Sequence, residues 1–416
     1  MDDLYPSVLR EVENLRDVFS ESGHALYLVG GIVRDLHLGA PLEQLDFDMT
    51  TEARPEVIKA LVDPLATAVW TQGEKFGTIG AQIDGRPYEI TTHRAESYSD
   101  VSRKPEVVFG DDIETDLSRR DFTLNAMAIR LSDGALIDPF DGLGALERRQ
   151  LITPIEPEVS FADDPLRILR AARFIARYDL AVDPAVMVAG RKLIDRMSIV
   201  SAERIRDEFD KLLFAPDPSV GLAFLVKVGA WAYVVAEIED ADVPEIGRQL
   251  ASTSIDAQSP EDLALRRAVV FSHLRGGDRA ESLAALRYSK DESRQIKRLL
   301  SGQDVLTASS APLELSEIRR LIASIGREHT PLLARLLSAR GTPDRGLADG
   351  IAAMEASGEL AQLTPVLTGE EVMELLGLEP GPEVGEAIGV LQERRFDEGP
   401  LDRDGETAYL LEHYSR

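Results

Sequence analysis

Two hydrophobic periods divide the chain. Up to about residue 137, short apolar runs at 26–29, 45–49, 68–70, 78–83, 88–92, 107–109 and 135–137 alternate with Gly, Asp and Pro. Runs of that length between turn residues predict strands, and helices are expected over 7–20 and near 55–62. From about Asp163 onward, apolar residues fall three and four apart through Leu212, Leu222, Leu283, Leu286, Leu299, Ile318, Leu332 and Leu336, the period of helices. Asp164-Pro-Leu-Arg167 puts an Asp cap ahead of a proline in the first helical position, and Ser201-Ala-Glu-Arg204 starts another helix. The Ser/Asp/Glu-rich stretch 239–261 reads as a linker or long loop, and a break near 341–349 separates a terminal unit at 368–398. The expected fold class is α+β, with strands and helices first and helices alone afterwards.

Composition narrows the function. A chain of 416 residues has room for about two to four domains. No apolar run approaches the ~18 residues of a membrane span, so no membrane partner is expected. The start, Met1-Asp-Asp-Leu-Tyr5, lacks the basic and apolar regions of a signal peptide. The absence of cysteine excludes disulfides and thiolate metal sites and fits a cytoplasmic location. A formal net charge of −27 excludes broad, non-specific nucleic-acid binding over the whole surface but leaves room for a local basic patch. The charge is unevenly spread: residues 350–416 hold fifteen Asp/Glu against four Arg, whereas 165–178 hold four Arg and no acid.

The densest chemistry lies in Leu28-Val-Gly-Gly-Ile-Val-Arg-Asp35 followed by Asp46-Phe-Asp48. Gly30 and Gly31 let the backbone approach phosphate oxygens, and a helix start just beyond offers free N–H groups to an anion. Arg34 adds a fork of donors on that helix. On a strand, Asp46 and Asp48 share one face while Leu45, Phe47 and Met49 share the other. Two aligned carboxylates suit Mg²⁺, which takes hard oxygen ligands together with substrate phosphates. Asp-x-Asp recurs at Asp240/Asp242 and Asp402/Asp404, so the pair is informative only beside the glycine turn. The ordered combination resembles the opening signature of the class II nucleotidyltransferases, the tRNA CCA-adding enzymes and bacterial poly(A) polymerases.

Further motifs extend the resemblance. Arg119-Arg120-Asp121-Phe-Thr-Leu-Asn125-Ala reads by itself as a helix start capped by Asp121; the family uses a very similar motif for the nucleotide, which implies Arg120 as a nucleotide contact and Asp121 toward the ribose. Arg167, Arg170, Arg173 and Arg177 form one helical stripe opposite Ile168, Ala172 and Ile175. Such a stripe is either a solvated charged face or an anion site. The family places base selection here, which implies Asp164 and Arg167 as the pair reading C or A, with Arg170 and Arg173 in support. Where the family's motif begins Glu-Asp, this chain has Asp163-Asp164. Phe76-Gly-Thr-Ile and Tyr88-Glu-Ile-Thr-Thr-His-Arg94 match paired strands beside the active site, with Glu89 either a third carboxylate or structural. Residues 96–108 resemble the loop that repositions nucleotide, Asp138-Pro-Phe-Asp-Gly142 the hinge, and Ser201-Ala-Glu-Arg-Ile-Arg-Asp-Glu208 a helical brace.

The resemblance implies a nucleotidyltransferase head at 1–137 with a small mixed β-sheet flanked by helices. An all-α neck at 138–215 would choose the base, followed by a body at 216–345 and an acidic tail at 346–416 that meets the tRNA elbow. His273 stands where many relatives carry a phosphohydrolase His-Asp dyad, but Leu274 follows it, so that activity is not expected. The implied reaction is addition of CMP, CMP and AMP from CTP and ATP to tRNA, with Mg²⁺ and without DNA or a nucleic-acid template. An enzyme adding only CC or only A, a poly(A) polymerase, a small-molecule nucleotidyltransferase and a non-catalytic tRNA-binding protein are the rival readings.

Overall fold

Seven short strands make the first sheet: β1 (Tyr27–Val29), β2 (Phe47–Thr51), β3 (Ala68–Trp70), β4 (Thr78–Ile83), β5 (Arg86–Thr92), β6 (Ala128–Arg130) and β7 (Leu136–Ile137). Their order across the sheet is β3-β4-β5-β2-β1-β6-β7. The β2–β5 pair is parallel and the other pairs are antiparallel, so the sheet is mixed. In this computed structural model the residues described are 5–94, 109–253, 259–275 and 277–414, and the expected loop at 96–108 lies outside them. The chain divides into two units, Met1–Ala236 and Glu237–Arg416.

Strand alternation fixes which face does chemistry. Phe47, Met49, Ile79, Ala81, Tyr88 and Ile90 are buried in one core with Val8, Leu15, Phe19 and Ile58 from the flanking helices. Asp48 and Glu89, one residue out of phase, are exposed. The β2–β5 register sets Asp48 directly opposite Glu89.

Several boundaries differ from the sequence reading, each for a local reason. β2 begins at Phe47 rather than residue 45, because Leu42–Gln44 forms a 3₁₀ turn leading into it. The helix expected over 7–20 is interrupted at Val12, giving Tyr5–Glu11 and Glu13–Glu21. β6 was not foreseen, since its apolar residues run on from the Arg119–Asn125 motif without a turn signal. The helix start expected at Asp121 is only a 3₁₀ turn, Thr123–Asn125. The helical part is not purely α: β8 (Gln150–Leu151) and β9 (Ala181–Val182) pair in parallel.

In the second unit the stretch expected as a linker contains the helix Val243–Ala251. Val243, Ile246 and Leu250 are buried while Pro244 and Arg248 face solvent, so one-sided burial overrides a polar average. The terminal segment packs its own small core of Leu367, Val372, Val384, Ala387, Leu391 and Leu410. There the buried Arg395 and Glu406 pair at 2.6 Å, and Glu406 also accepts the N–H groups of Val366 and Leu367. Among the described residues no helix is long and apolar enough to cross a membrane.

Candidate active site

β1 runs into Gly30, which adopts φ 77° and ψ −125°, a conformation that strains any residue with a Cβ. A Cβ there would also stand 2.8 Å from Nη1 of Arg120, so the missing side chain is what admits that guanidinium. Arg120 is braced by Asp116 at 3.2 Å. Arg34, on the short helix Gly31–His37, is buried rather than reaching out. It donates to both oxygens of Asp35 at 2.8 Å and to Asn125 Oδ1 at 2.5 Å, and its guanidinium lies over the Phe174 and Tyr178 rings. Three of its five N–H groups are thus committed inside the protein.

Asp46 and Asp48 precede and open β2 on its exposed side, as alternation requires. Desolvation by the surrounding protein pushes Asp48 from 3.8 up to about 6; Glu89 adds like charge, Arg120 opposes it, and Asp46 adds a little more. A carboxylate held in that state has a deficit of positive charge near it, which is the condition a divalent cation relieves. Among the described residues no group of three or more His, Cys, Asp or Glu side chains forms a ready-made metal cage. Two carboxylates without a cage fit an ion that completes its shell with substrate phosphates and water.

The arginine stripe lies on the helix Arg167–Tyr178, entered through a turn in which Asp164 Oδ1 accepts the Leu166 N–H at 3.2 Å. The helix therefore starts later than the Asp-Pro cap suggested: Leu166 is its cap position, and Asp164 bonds the turn that precedes it. Arg170 grips Asp121 through Nε at 2.8 Å and Nη2 at 2.5 Å, and reaches Glu208 at 3.3 Å. Arg173 donates to Glu208 at 2.7 Å. Burial alone would raise the Asp121 pKa, but the Arg170 charge and the bonds from Asn125, Arg170 and the Phe122 N–H hold it at about 2. Asp121, expected toward the ribose, spends its acceptor capacity on these protein donors. Arg167 donates to Ser160 Oγ at 2.6 Å and to the Arg119 carbonyl, while Asp164 Oδ2 accepts from Arg204 at 2.8 Å.

All the candidate residues (Gly30, Gly31, Arg34, Asp46, Asp48, Arg120, Asp121, Asp164, Arg167, Arg170 and Arg173) line one cleft of about 650 Å³ within the first unit. That volume suits a nucleotide. Glu89 does not line it but borders the adjoining cavity on the other side of Asp48. The sequence reading missed Asp116 and took Glu208 only as the end of a helical brace, without a place at the site. A signal existed for both: Asp116 is four residues before Arg120, and Glu208 falls on the apolar stripe of Ile205, Phe209 and Leu212. Phe174, Arg204 and Lys211 also line the cleft without having been assigned a place there. His273 lies outside this unit, hydrogen-bonded to Gln249 at 3.0 Å; burial, then the Arg340 charge, lowers its pKa to about 4.

A mixed sheet presenting a glycine turn and paired aspartates to an arginine-rich helix defines a nucleotidyltransferase. Residues 26–152 match the family model described as the Poly A polymerase head domain, and 179–242 the one described as a probable RNA and SrmB-binding site of polymerase A. The CCA-adding enzyme of Lactococcus lactis subsp. lactis (strain IL1403) is 32% identical over 376 residues, 90% of this chain and 89% of that one. That of Streptococcus pyogenes serotype M4 (strain MGAS10750) is 31% identical over 403 residues, 96% and 95% of the two chains. The chain belongs to the CCA-adding enzyme family. The crystal structure of the Bacillus stearothermophilus CCA-adding enzyme in complex with CTP matches with a TM-score of 0.78 at 27% identity, covering 100% of this chain and 98% of that one. The Thermotoga maritima CCA-adding enzyme complexed with tRNA shares the fold, with a TM-score of 0.65 at 20% identity over 98% of this chain and 96% of that one.

Proposed function

We propose that this chain builds or repairs the tRNA 3′ end in the cytoplasm, transferring CMP, CMP and AMP in turn from CTP and ATP without a nucleic-acid template. The observation that carries this reading is the gathering of the glycine turn, Asp46, Asp48, Arg120, Asp164 and Arg167 around one cleft in a member of this family. In each step the 3′-oxygen forms a bond to the α-phosphorus, the bond from that phosphorus to the β-phosphate oxygen breaks, and pyrophosphate leaves with the proton released to solvent. Asp46 and Asp48 would hold Mg²⁺, which when bound supplies the charge that acidifies the 3′-hydroxyl and steadies the pyrophosphate.

The protein's own groups do the positioning. Gly30 and Gly31 admit the phosphates to the backbone, and Arg120, braced by Asp116, donates to them. Arg167, fixed by Ser160, and Asp164, fixed by Arg204, offer a donor and an acceptor in a set geometry to the edge of C or A. Arg170 and Arg173, anchored on Asp121 and Glu208, hold the helix that carries that pair. Residues 1–137 would then supply chemistry and 138–215 the choice of base, with 216–345 forming the body and 346–416 meeting the tRNA elbow.

The test is to incubate the protein with tRNAs lacking CCA, lacking CA, or lacking only A, each with one labelled triphosphate. Addition to all three supports the proposal. Addition to the tRNAs lacking CCA and lacking CA but not to the one lacking A identifies a CC-adding enzyme, addition to the last alone an A-adding enzyme, and no addition to any overturns catalysis in favour of tRNA binding.

A further inference from the structure

One residue row of the sheet runs from Asp48 away from the nucleotide cleft. The registers pair Asp48 with Glu89, Glu89 with Gly80, and Gly80 with Trp70, so these residues lie side by side across β2, β5, β4 and β3. Paired residues of neighbouring strands share a face. The row therefore leads from the aspartate at the cleft to an aromatic ring at the sheet's edge strand. Gly80 makes this possible: a Cβ there would fall 1.8 Å from Nε1 of Trp70, so the indole occupies the space over the glycine, which lies beside Glu89 on the neighbouring strand.

Two cavities follow the row. One, of about 370 Å³, is lined by Asp48, Glu89, Arg94, Arg119 and Arg120. The next, of about 410 Å³, shares Glu89 and Arg94 with it and is bounded by Trp70, Phe76 and Gly80. The first also shares Asp48 and Arg120 with the nucleotide cleft, so the three are continuous through common walls. Phe76, in the turn Glu74–Phe76, is 40% exposed and borders the second cavity.

In-line attack demands that the 3′-hydroxyl reach the α-phosphate from the side opposite the departing pyrophosphate. With the triphosphate in the arginine-lined cleft, the attacking strand must come through the cavities beyond Asp48. Three strand spacings put the β3 backbone about 14 Å from that of β2, and the indole's place over Gly80 shortens the gap to about 10 Å. That span leaves room for one nucleoside between the Asp48 carboxylate and the indole, its 3′-hydroxyl at the carboxylate and its base at the ring. Aromatic rings bind single-stranded bases without regard to sequence, because every base has a stacking face. Such tolerance suits a primer whose last base changes after each addition.

We propose that Trp70, assisted by Phe76, stacks the terminal base of the tRNA primer and so aligns its 3′-hydroxyl at Asp48, while Arg94 and Arg119 face the phosphate that precedes it. Trp70 and Phe76 are positioning residues, and the proposal rests on the reading of the cleft as the triphosphate site.

The test uses tRNA lacking only its terminal A, with the tRNA and ATP concentrations varied separately. Wild-type incorporation reports on the proposed function, whereas the ratio of Trp70→Ala to wild type reports on the platform. Trp70→Ala should raise the KM for tRNA roughly 5- to 100-fold, as loss of a base stack does, and leave the KM for ATP unchanged. Trp70→Phe should restore most of the loss. A tRNA ending in an abasic residue should show the same penalty with wild type and no further penalty with Trp70→Ala. Binding of the primer should quench indole fluorescence, and that quench should vanish with the abasic primer and with Trp70→Phe; this readout holds even if Trp70→Ala folds poorly or turnover is absent. An unchanged KM for tRNA, a rise in the KM for ATP alone, or equal quenching by the intact and abasic primers would overturn the proposal.

Discussion

Replacing Asp48 by Asn should make the metal-free protein more stable while abolishing nucleotide incorporation. The carboxylate is held at about 6 instead of 3.8, first by desolvation and then by Glu89, so its ionised form is less at home in the folded chain than in the unfolded one. That gap corresponds to about 3 kcal/mol of differential interaction. Asp48 is exposed within the cleft, and solvent screening reduces the usable figure to about 1 kcal/mol. A folded pKa raised above the unfolded value means that wild type loses nothing from this group below about 3.8 and bears the full penalty once the pH has passed about 6. The advantage of Asp48→Asn should therefore be absent near pH 3.8, grow through about 6 and stay level above it. Thermal unfolding in EDTA at pH 8, followed by tryptophan fluorescence, reads the first unit because Trp70 and Trp231 both lie within it. The expected rise in Tm is about 2–4 °C. Adding Mg²⁺ should stabilise wild type and leave the variant nearly unmoved. A variant no more stable than wild type at pH 8, or one equally stabilised by Mg²⁺, would refute the reading of Asp48 as a charge held ready for metal.

Three further outcomes follow from the same cleft. Gly30→Ala forces a Cβ into a strained conformation and against Arg120; it should cost about 1–3 kcal/mol in denaturant unfolding and raise the KM for CTP and ATP more than that for tRNA. Arg170→Met leaves Asp121 and Glu208 short of a partner and should destabilise the protein by about 3 kcal/mol, with acid unfolding beginning at higher pH as Asp121 loses the charge that keeps it near 2; a loss below a few tenths of a kcal/mol would show the pair to be incidental. Arg167→Ala should let UTP and GTP compete with CTP and ATP in single-nucleotide incorporation, and unchanged selectivity would remove Arg167 from base reading.

Period and punctuation made much of the first unit legible. The alternation around Asp46 and Asp48 predicted their common face, and burial of Leu45, Phe47 and Met49 follows it. What stayed hidden depended on partners distant in sequence. Glu89 read as either a third carboxylate or a structural residue, and it takes the parallel β2–β5 register to set it beside Asp48. Trp70 looks like the end of a short apolar run until Gly80 is found beneath it. The helix Val243–Ala251 was hidden for a different reason, because the acids and serines on either side of it set the average of the stretch 239–261 while its own buried residues lie on one side. Register and one-sided burial are tertiary facts that single-sequence patterns carry only weakly.

The arginine stripe shows why counting charges along a helix misjudges an anion site. Read linearly, Arg167, Arg170, Arg173 and Arg177 are equivalent cations. In the fold, Arg170 and Arg173 close on buried Asp121 and Glu208, as Arg34 closes on Asp35. Each of those carboxylates weakens the field of its arginine beyond a few ångströms and fixes its geometry, while all three arginines still line the cleft. Glu208 is shared by Arg170, Arg173 and Lys211, and Asp116 holds Arg120 at 3.2 Å, so the positive charge facing a triphosphate is the surplus of cations over carboxylates on the wall and rim of the cleft, to which Arg177 adds. At physiological ionic strength a charge acts over about 8 Å, so an acid farther away than that contributes little to the potential inside the cleft. A net charge of −27 is therefore compatible with holding a triphosphate, because what the ligand meets is a handful of cations with few free carboxylates among them, two of which, Asp46 and Asp48, are the ones a metal would neutralise.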